Sequence, residues 1–234
     1  MKIENSSILV TGGSLGIGKE TAKQLVQQGA KVVITGRDKN RLDKAAHETG
    51  AIPFVFDISD FKSIQQNAEK CIALLDGKID AIINNAGIGT FHKLGDITID
   101  DFQKIYATNV FGLTLLTQEI VKNFKDQNYG TIINIGSTAS LKGFVGGTVY
   151  ASSKFALRGM TQTWQAELRK HNIRVSLVNP SEVTTAFANE ERIEREEVPN
   201  KINSQEVADT ILSVLKMRDK GFIPEVTIWA TNPF

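Results

Sequence analysis

The sequence predicts a doubly wound α/β fold: one domain over residues 1–234, with a parallel sheet of about seven strands and helices on both faces. Three observations predict it. Short runs of Ile and Val recur along the chain and alternate with longer segments of helical periodicity. The first run leads directly into a glycine-rich stretch, T-G-G-S-L-G-I-G, at 11–18. No linker, low-complexity tract or short repeat breaks the alternation. Strands that are apolar throughout need cover on both faces, and right-handed crossovers supply it.

Ser7 to Val10 reads as the first strand. The helix after Gly18 places Ala22, Leu25 and Val26 on one face, and Gly29 closes it as a C-cap. Lys31 to Thr35 is the second strand. This βαβ unit, with glycines at its first turn, is of Rossmann type. Glycines let a diphosphate approach the backbone, where a helix N-terminus offers free N–H groups and a positive dipole. Ile52 to Phe56 is the third strand. A helix over 60–75 follows, with Ser59 or Asp60 as cap, and Cys71 lies on its apolar face with Ile64, Ala68, Ile72 and Leu75. A buried thiol follows from that position. Ile79 to Ile83 is the fourth strand and ends in N-N-A-G, Asn84 to Gly87.

A long helix begins at Thr98, where T-x-x-D has the form of a capping box. It carries Phe102, Ile105, Val110, Phe111, Leu113, Leu116, Ile120 and Phe124, with Asn109 awkwardly in its middle. The fifth strand contains Ile132, Ile133 and Ile135, and the chain breaks at Gly136. A glycine-rich loop then leads into a helix near Tyr150 that carries Phe155, Leu157, Met160, Trp164 and Leu168. Arg174 to Val178 is the sixth strand, Ser204 to Met217 an amphipathic helix, and Pro224 to Trp229 the last strand.

The stretch from Thr131 to Lys154 holds the chemistry. Tyr150 and Lys154 stand four residues apart and so share a helix face. A cation beside a phenol lowers a pKa that starts near ~10, which would let Tyr150 donate and accept protons at neutral pH. Ser137, at the end of the strand, is suited to bond the oxygen whose charge changes. Composition excludes other classes. The formal net charge of +1 leaves no footprint for nucleic acid or an anionic membrane. No window approaches a membrane span, and the N-terminal apolar stretch is too short for a signal-peptide core. Cys71 is the only cysteine, and His47, His92 and His171 lack metal-ligand spacing, so a cytoplasmic, metal-free protein is expected.

Over about residues 5 to 215 the chain resembles the short-chain dehydrogenase/reductase family. It has T-G-x-x-x-G-I-G at Thr11 to Gly18, Asp57 after the third strand, and N-N-A-G at 84–87. Asn109, Ser137, Tyr150 and Lys154 follow in the family's order and spacing. The resemblance implies that Tyr150 is the general acid in ketone reduction and the base in alcohol oxidation. Lys154 would depress its pKa and bond the nicotinamide ribose, and Ser137 would hold the substrate oxygen. Asn109 would hold a water, through a disturbed helix, that links Lys154 to solvent. Gly12, Ser14, Leu15, Gly16, Ile17 and Gly18 would form the diphosphate loop. Asp57 and Ile58 would meet the adenine, and Asn85, Ala86 and Gly87 would back the adjacent ribose. Pro180, Val183 and Thr185 would meet the nicotinamide.

NADP(H) is favoured over NAD(H). Arg37 follows the second strand, where a 2′-phosphate wants an arginine, and Gly36 stands where NAD-linked members place an acid. Asp38 competes as a ribose reader but reads as the cap of the next helix, with Arg41, Leu42 and Ala45 in register. Leu15 weakens the NADP reading, since its position is often basic in NADP-linked members. Ser181 replaces the family's usual glycine after Pro180, which raises the question of a positive φ or a close approach there. The charged segment 186–201 stands where the family keeps a substrate lid, and equally reads as a solvated surface helix. The C-terminus lacks the Val-Asp-Gly-Gly-like end of 3-oxoacyl-acyl-carrier-protein reductases. The partners implied are a small carbonyl or alcohol substrate and a second copy of the chain, as homodimer or homotetramer. Gly89, Thr90, Phe91, Leu141, Phe144, Val149 and Phe187 suggest an apolar pocket. The rival readings are an NAD-linked alcohol or sugar dehydrogenase and a non-catalytic NADP(H) sensor.

Overall fold

A computed structural model of the chain describes residues 1–187 and 192–233. Seven parallel strands form one sheet in the order β3-β2-β1-β4-β5-β6-β7. They are β1 (Ser7–Thr11), β2 (Lys31–Gly36), β3 (Ile52–Val55), β4 (Ala81–Asn84), β5 (Gly130–Ile135), β6 (Ile173–Pro180) and β7 (Glu225–Ile228). The helices are α1 (Gly16–Gln27), α2 (Lys39–Thr49), α3 (Ile64–Leu74), α4 (Ile99–Tyr106), α5 (Leu113–Asp126), α6 (Thr148–Leu168) and α7 (Ser204–Lys216).

Successive side chains of a strand point to opposite faces, and the apolar runs feed two cores. Ile8, Val10, Val32 and Ile34 face one core with Leu25 of α1, Leu42 of α2 and Ile211 of α7. Leu9, Val33 and Ile82 face the other with Cys71 of α3, Leu116 and Phe124 of α5 and Leu157 of α6. Cys71 is buried as expected, and burial pushes its thiol up to about 12. Four polar side chains cross the second face in a chain of bonds. Asn84 Nδ2 donates to Thr117 Oγ1 and Asn134 Oδ1 at 2.9 Å each, and Asn134 Nδ2 donates to Thr161 Oγ1 at 2.8 Å. This network ties β4 and β5 to the helices that flank the site.

The predicted 60–75 helix starts later, at Ile64. Asp57 Oδ1 accepts from Ser59 N and Ser59 Oγ at 2.8 and 2.7 Å, and successive turns close Asp57 to Ser63 before the helix begins. The long helix does start at Thr98, whose capping box with Asp101 is complete. It is then interrupted by a π-helical turn, Ala107–Gly112, with Asn109 inside it. Gly112 permits the bulge to sit where it does: a Cβ there would lie 2.1 Å from Ile58 O. Ser181 has no positive φ, and its N–H donates to Ile228 O at 2.9 Å, so serine meets no backbone strain. Residues 188–191 of the 186–201 segment lie outside the described residues, and 192–203 contains no helix. No described helix is long and apolar enough to cross a membrane.

Candidate active site

The strand order reverses between β1 and β4, and a crevice opens there beyond the C-terminal ends of the strands. It is a cleft of about 1040 Å³. Its lining includes the predicted Gly12, Ser14, Leu15, Gly16, Ile17, Arg37, Asp57, Ile58, Asn85, Ala86 and Gly87. It also includes Ser137, Tyr150, Lys154, Pro180, Val183 and Thr185. Two predicted residues stand behind the wall. Gly18 is buried in helix-to-loop packing, where a Cβ would come within 2.3 Å of Gly12 O. Asn109 is buried against the loop after β4.

The glycine loop and the N-N-A-G turn are bonded into one unit. Asn85 Nδ2 donates to Thr11 O and Gly12 O at 3.0 Å each, and Thr11 Oγ1 accepts from Asn85 N and Ala86 N at 3.0 Å. Gly12 has φ +66°, and a Cβ there would meet Ala86 Cα at 2.8 Å, so only glycine suits this contact. At the start of α1, Gly16 N donates to a Glu194 carboxylate oxygen at 3.3 Å, and Lys19 Nζ lies 3.3 Å from the same carboxylate. A carboxylate from a distant segment thus rests where an anion is favoured.

At the end of β2, Asp38 caps α2, accepting from Arg41 N at 2.9 Å, and its other oxygen is 3.0 Å from the Arg41 guanidinium. Its carboxylate is therefore engaged within the protein. Arg37, Arg41 and Arg192 all line this end of the cleft. Burial and the positive charges of Arg37 and Arg41 hold the Arg192 guanidinium below its ordinary pKa. Arg41, Arg192 and Glu194 were not singled out from the sequence. Arg41 is only four residues past Arg37 and so within reach of a sequence reading, but the other two lie more than 150 residues away and only the fold brings them here.

At the other end, Tyr150 and Lys154 are buried one turn apart on α6. Lys154 Nζ donates to Ile135 O at 2.8 Å and lies 5.8 Å from the centre of the Tyr150 ring. Burial drives the Tyr150 phenol up to about 12, opposed by a hydrogen bond from the Ser137 side chain. The lowered phenol pKa expected from the sequence is thus reversed in the protein alone. The reason is desolvation, which also takes Lys154 down to about 8 and so weakens the cation meant to do the lowering. Asn109 Nδ2 donates to Ile88 O and Ser153 Oγ at 2.9 and 3.1 Å, and Asn109 Oδ1 accepts from Ile88 N at 2.9 Å. A Cβ on Gly87 would lie 3.5 Å from Asn109 Oδ1 and 3.8 Å from Lys154 Nζ, so these polar atoms converge on one point.

These residues fit a dinucleotide. The glycine loop lines the cleft, the α1 N-terminus already holds a carboxylate, and clustered guanidinium groups stand beyond β2. Among the described residues, no group of three His, Cys, Asp or Glu side chains is placed to hold a metal ion.

Comparison with known proteins agrees with this geometry. The short chain dehydrogenase family model matches residues 6–196. The chain is 30% identical to an NADP-dependent 3-hydroxy acid dehydrogenase of Schizosaccharomyces pombe, over 99% of this chain and 95% of that protein. It is 34% identical to a 3-oxoacyl-acyl-carrier-protein reductase of Thermotoga maritima, over 79% of this chain and 77% of that protein. A metagenomic short-chain oxidoreductase in complex with NADP superposes with a TM-score of 0.83 at 29% identity, covering 97% of this chain and 98% of that one. The chain belongs to the short-chain dehydrogenase/reductase family, oxidoreductases that act on CH–OH groups.

Proposed function

We propose that the protein is an NADP(H)-dependent reductase that converts a carbonyl to a secondary alcohol, with Tyr150 as proton donor. The observation that carries this reading is the convergence of Ser137, Tyr150 and Lys154 at one end of a cleft whose other end gathers Arg37, Arg41 and Arg192. The bound nicotinamide supplies the hydride, and the protein supplies position and protons. Ser137 orients the carbonyl oxygen beside the phenol. Tyr150, with Ser137 in hydrogen-bond contact, gives its phenolic proton to the carbonyl oxygen in reduction and takes it back in oxidation. Lys154, buried one turn from Tyr150 on α6, replaces the proton. Gly12, Ser14, Leu15, Gly16 and Ile17 hold the diphosphate, with Gly18 shaping the loop from behind. Asp57 and Ile58 meet the adenine, Asn85 to Gly87 the adjacent ribose, and Pro180, Val183 and Thr185 the nicotinamide.

The names of the S. pombe relative and of the NADP complex support the cofactor choice. The engagement of Asp38 as a helix cap supports it independently, since that carboxylate is not free to read ribose hydroxyls. The family and the exposed Phe61, Phe111 and Phe155 beside α5 and α6 support a homodimer or homotetramer.

Titration with NADPH and NADH, followed by nicotinamide fluorescence, tests the reading. NADPH binds more tightly, and Arg37→Ala weakens NADPH by about tenfold, the range of one charged hydrogen bond, while NADH changes less than about twofold. Tyr150→Phe retains NADPH binding and loses turnover. Equal loss for both cofactors sinks the phosphate assignment, and retained turnover sinks the proton donor.

A further inference from the structure

Phe91, Leu141, Phe144, Val145 and Trp229 all line the cleft and are between 36% and 84% exposed. Single exposed apolar side chains are ordinary. These five come from three separate stretches: after β4, between β5 and α6, and after β7. The topology puts those stretches at the Tyr150 side of the cleft, away from Arg37, which follows β2. An apolar wall assembled from distant segments around one reactive group has the character of a ligand site.

The rings meet the phenol directly. Phe91 stands edge-on to Tyr150 with ring centres 5.5 Å apart, and Phe144 lies 5.9 Å from Phe91. Phe187 reaches Tyr150 at 5.5 Å. Such tilted contacts are ordinary aromatic packing, yet Phe91 and Phe144 stay about half exposed and line the cleft, so part of each ring is offered to a ligand. Of the other charged side chains that line the cleft, Arg192 stands with Arg37 and Arg41, Glu182 pairs with Lys201 at 2.6 Å, and Lys142 and Arg195 line it as well. Apart from Ser137, Tyr150 and Lys154, which the reaction itself uses, the wall offers a substrate chiefly hydrocarbon.

Resting on the assignment of Tyr150 as proton donor, we infer that the substrate is a ketone bearing an aromatic ring or a comparably bulky hydrocarbon group. The carbonyl oxygen lies at Ser137 and Tyr150, and the hydrocarbon lies against Phe91 and Phe144. Reduction adds a hydride from NADPH to the carbonyl carbon and the Tyr150 proton to its oxygen, giving a secondary alcohol and NADP⁺.

Steady-state kinetics with acetophenone, acetone, acetoacetate and a keto-sugar at saturating NADPH provides the test. The kcat/KM for acetophenone exceeds that for acetone by about tenfold or more, the scale of a hydrocarbon increment in a fitted pocket. Phe144→Ala and the solvent-facing Val145→Asp both collapse that ratio. A higher kcat/KM for acetoacetate overturns the proposal and points to Lys142, and a higher value for the keto-sugar overturns it equally. Calorimetry on the NADP⁺-loaded Tyr150→Phe protein decides the question without turnover. Acetophenone bound more tightly than acetoacetate supports the site, and no acetophenone binding overturns it. If no ketone is reduced at all, the reductase reading fails, while calorimetry still judges the aromatic subsite.

Discussion

Lys154 shows how the site sets one residue against the fold. Its ammonium is buried, with Ile135 O as its hydrogen-bond acceptor, and desolvation brings its pKa from 10.5 to about 8. A lysine whose folded pKa is depressed costs stability fully below the folded value, and the cost disappears as pH rises to the unfolded value. Lys154→Met therefore raises Tm at pH 7, by about 2–4 °C for each kcal/mol recovered, and the advantage over the unsubstituted protein shrinks from pH 8 to 10.5. Tyr150 acts in a different window: its folded pKa of about 12 lies above 10, so its contribution is lost only above pH 10. Paired thermal melts across this range check the effect, and an advantage that stays constant with pH would falsify the buried-charge explanation. The residue spacing of Tyr150 and Lys154 was legible in the sequence; the sign of the phenol shift was not, because burial has no sequence signature at a single position. Asn109 was legible as an anomaly, and its bonds to Ile88 and Ser153 show what the anomaly does.

Among the elements, α1 and the segment around Glu194 are coupled. The Glu194 carboxylate contacts Gly16 N–H and Lys19 at the α1 N-terminus, where the proposed diphosphate site lies. A bound diphosphate and this carboxylate compete for the same donors. Glu194→Gln keeps a similar shape and removes the charge, so it tightens NADPH binding by about two- to fivefold, the range of one charge at a helix N-terminus. Fluorescence titration in low and high salt measures it, with the gain fading as salt rises; an unchanged or weaker affinity removes Glu194 from this role. The π-helical turn of 107–112 is the other decisive element. The sequence signalled a long helix with a misplaced Asn109, but the bulge needs the approach of Gly112 to Ile58 O, a contact between the π-helical turn and the segment after β3, far apart in the chain.

At the scale of the whole molecule, half-exposed Phe61, Phe111 and Phe155 mark the outer surface beside α5 and α6. Phe61 and Phe111 stack edge-to-face at 6.3 Å without being covered. Burial of such a surface against a second copy satisfies the apolar area that the monomer leaves in water. Phe111→Asp therefore shifts the protein toward a 25.7 kDa monomer in light scattering after gel filtration, with folding kept because the side chain is half in solvent. A monomeric unsubstituted protein, or an oligomer that survives the aspartate, removes this surface from the interface.

The sequence by itself determined the parallel sheet, the glycine loop at its first turn and the Ser137, Tyr150 and Lys154 set that meets in the cleft. These follow from local periodicity, from glycine's freedom at Gly12 and from one helical turn between Tyr150 and Lys154. It also marked Asp38 as a cap, since an N-cap is a contact within one turn. Only the tertiary structure decided which charges share the cleft and how far burial moves their protons. Arg192 and Glu194 reach Arg37 and Gly16 across more than 150 residues, and desolvation depends on everything packed around a group. Local rules carry strands, helices and caps, whereas electrostatics is summed over neighbours that the chain order does not name.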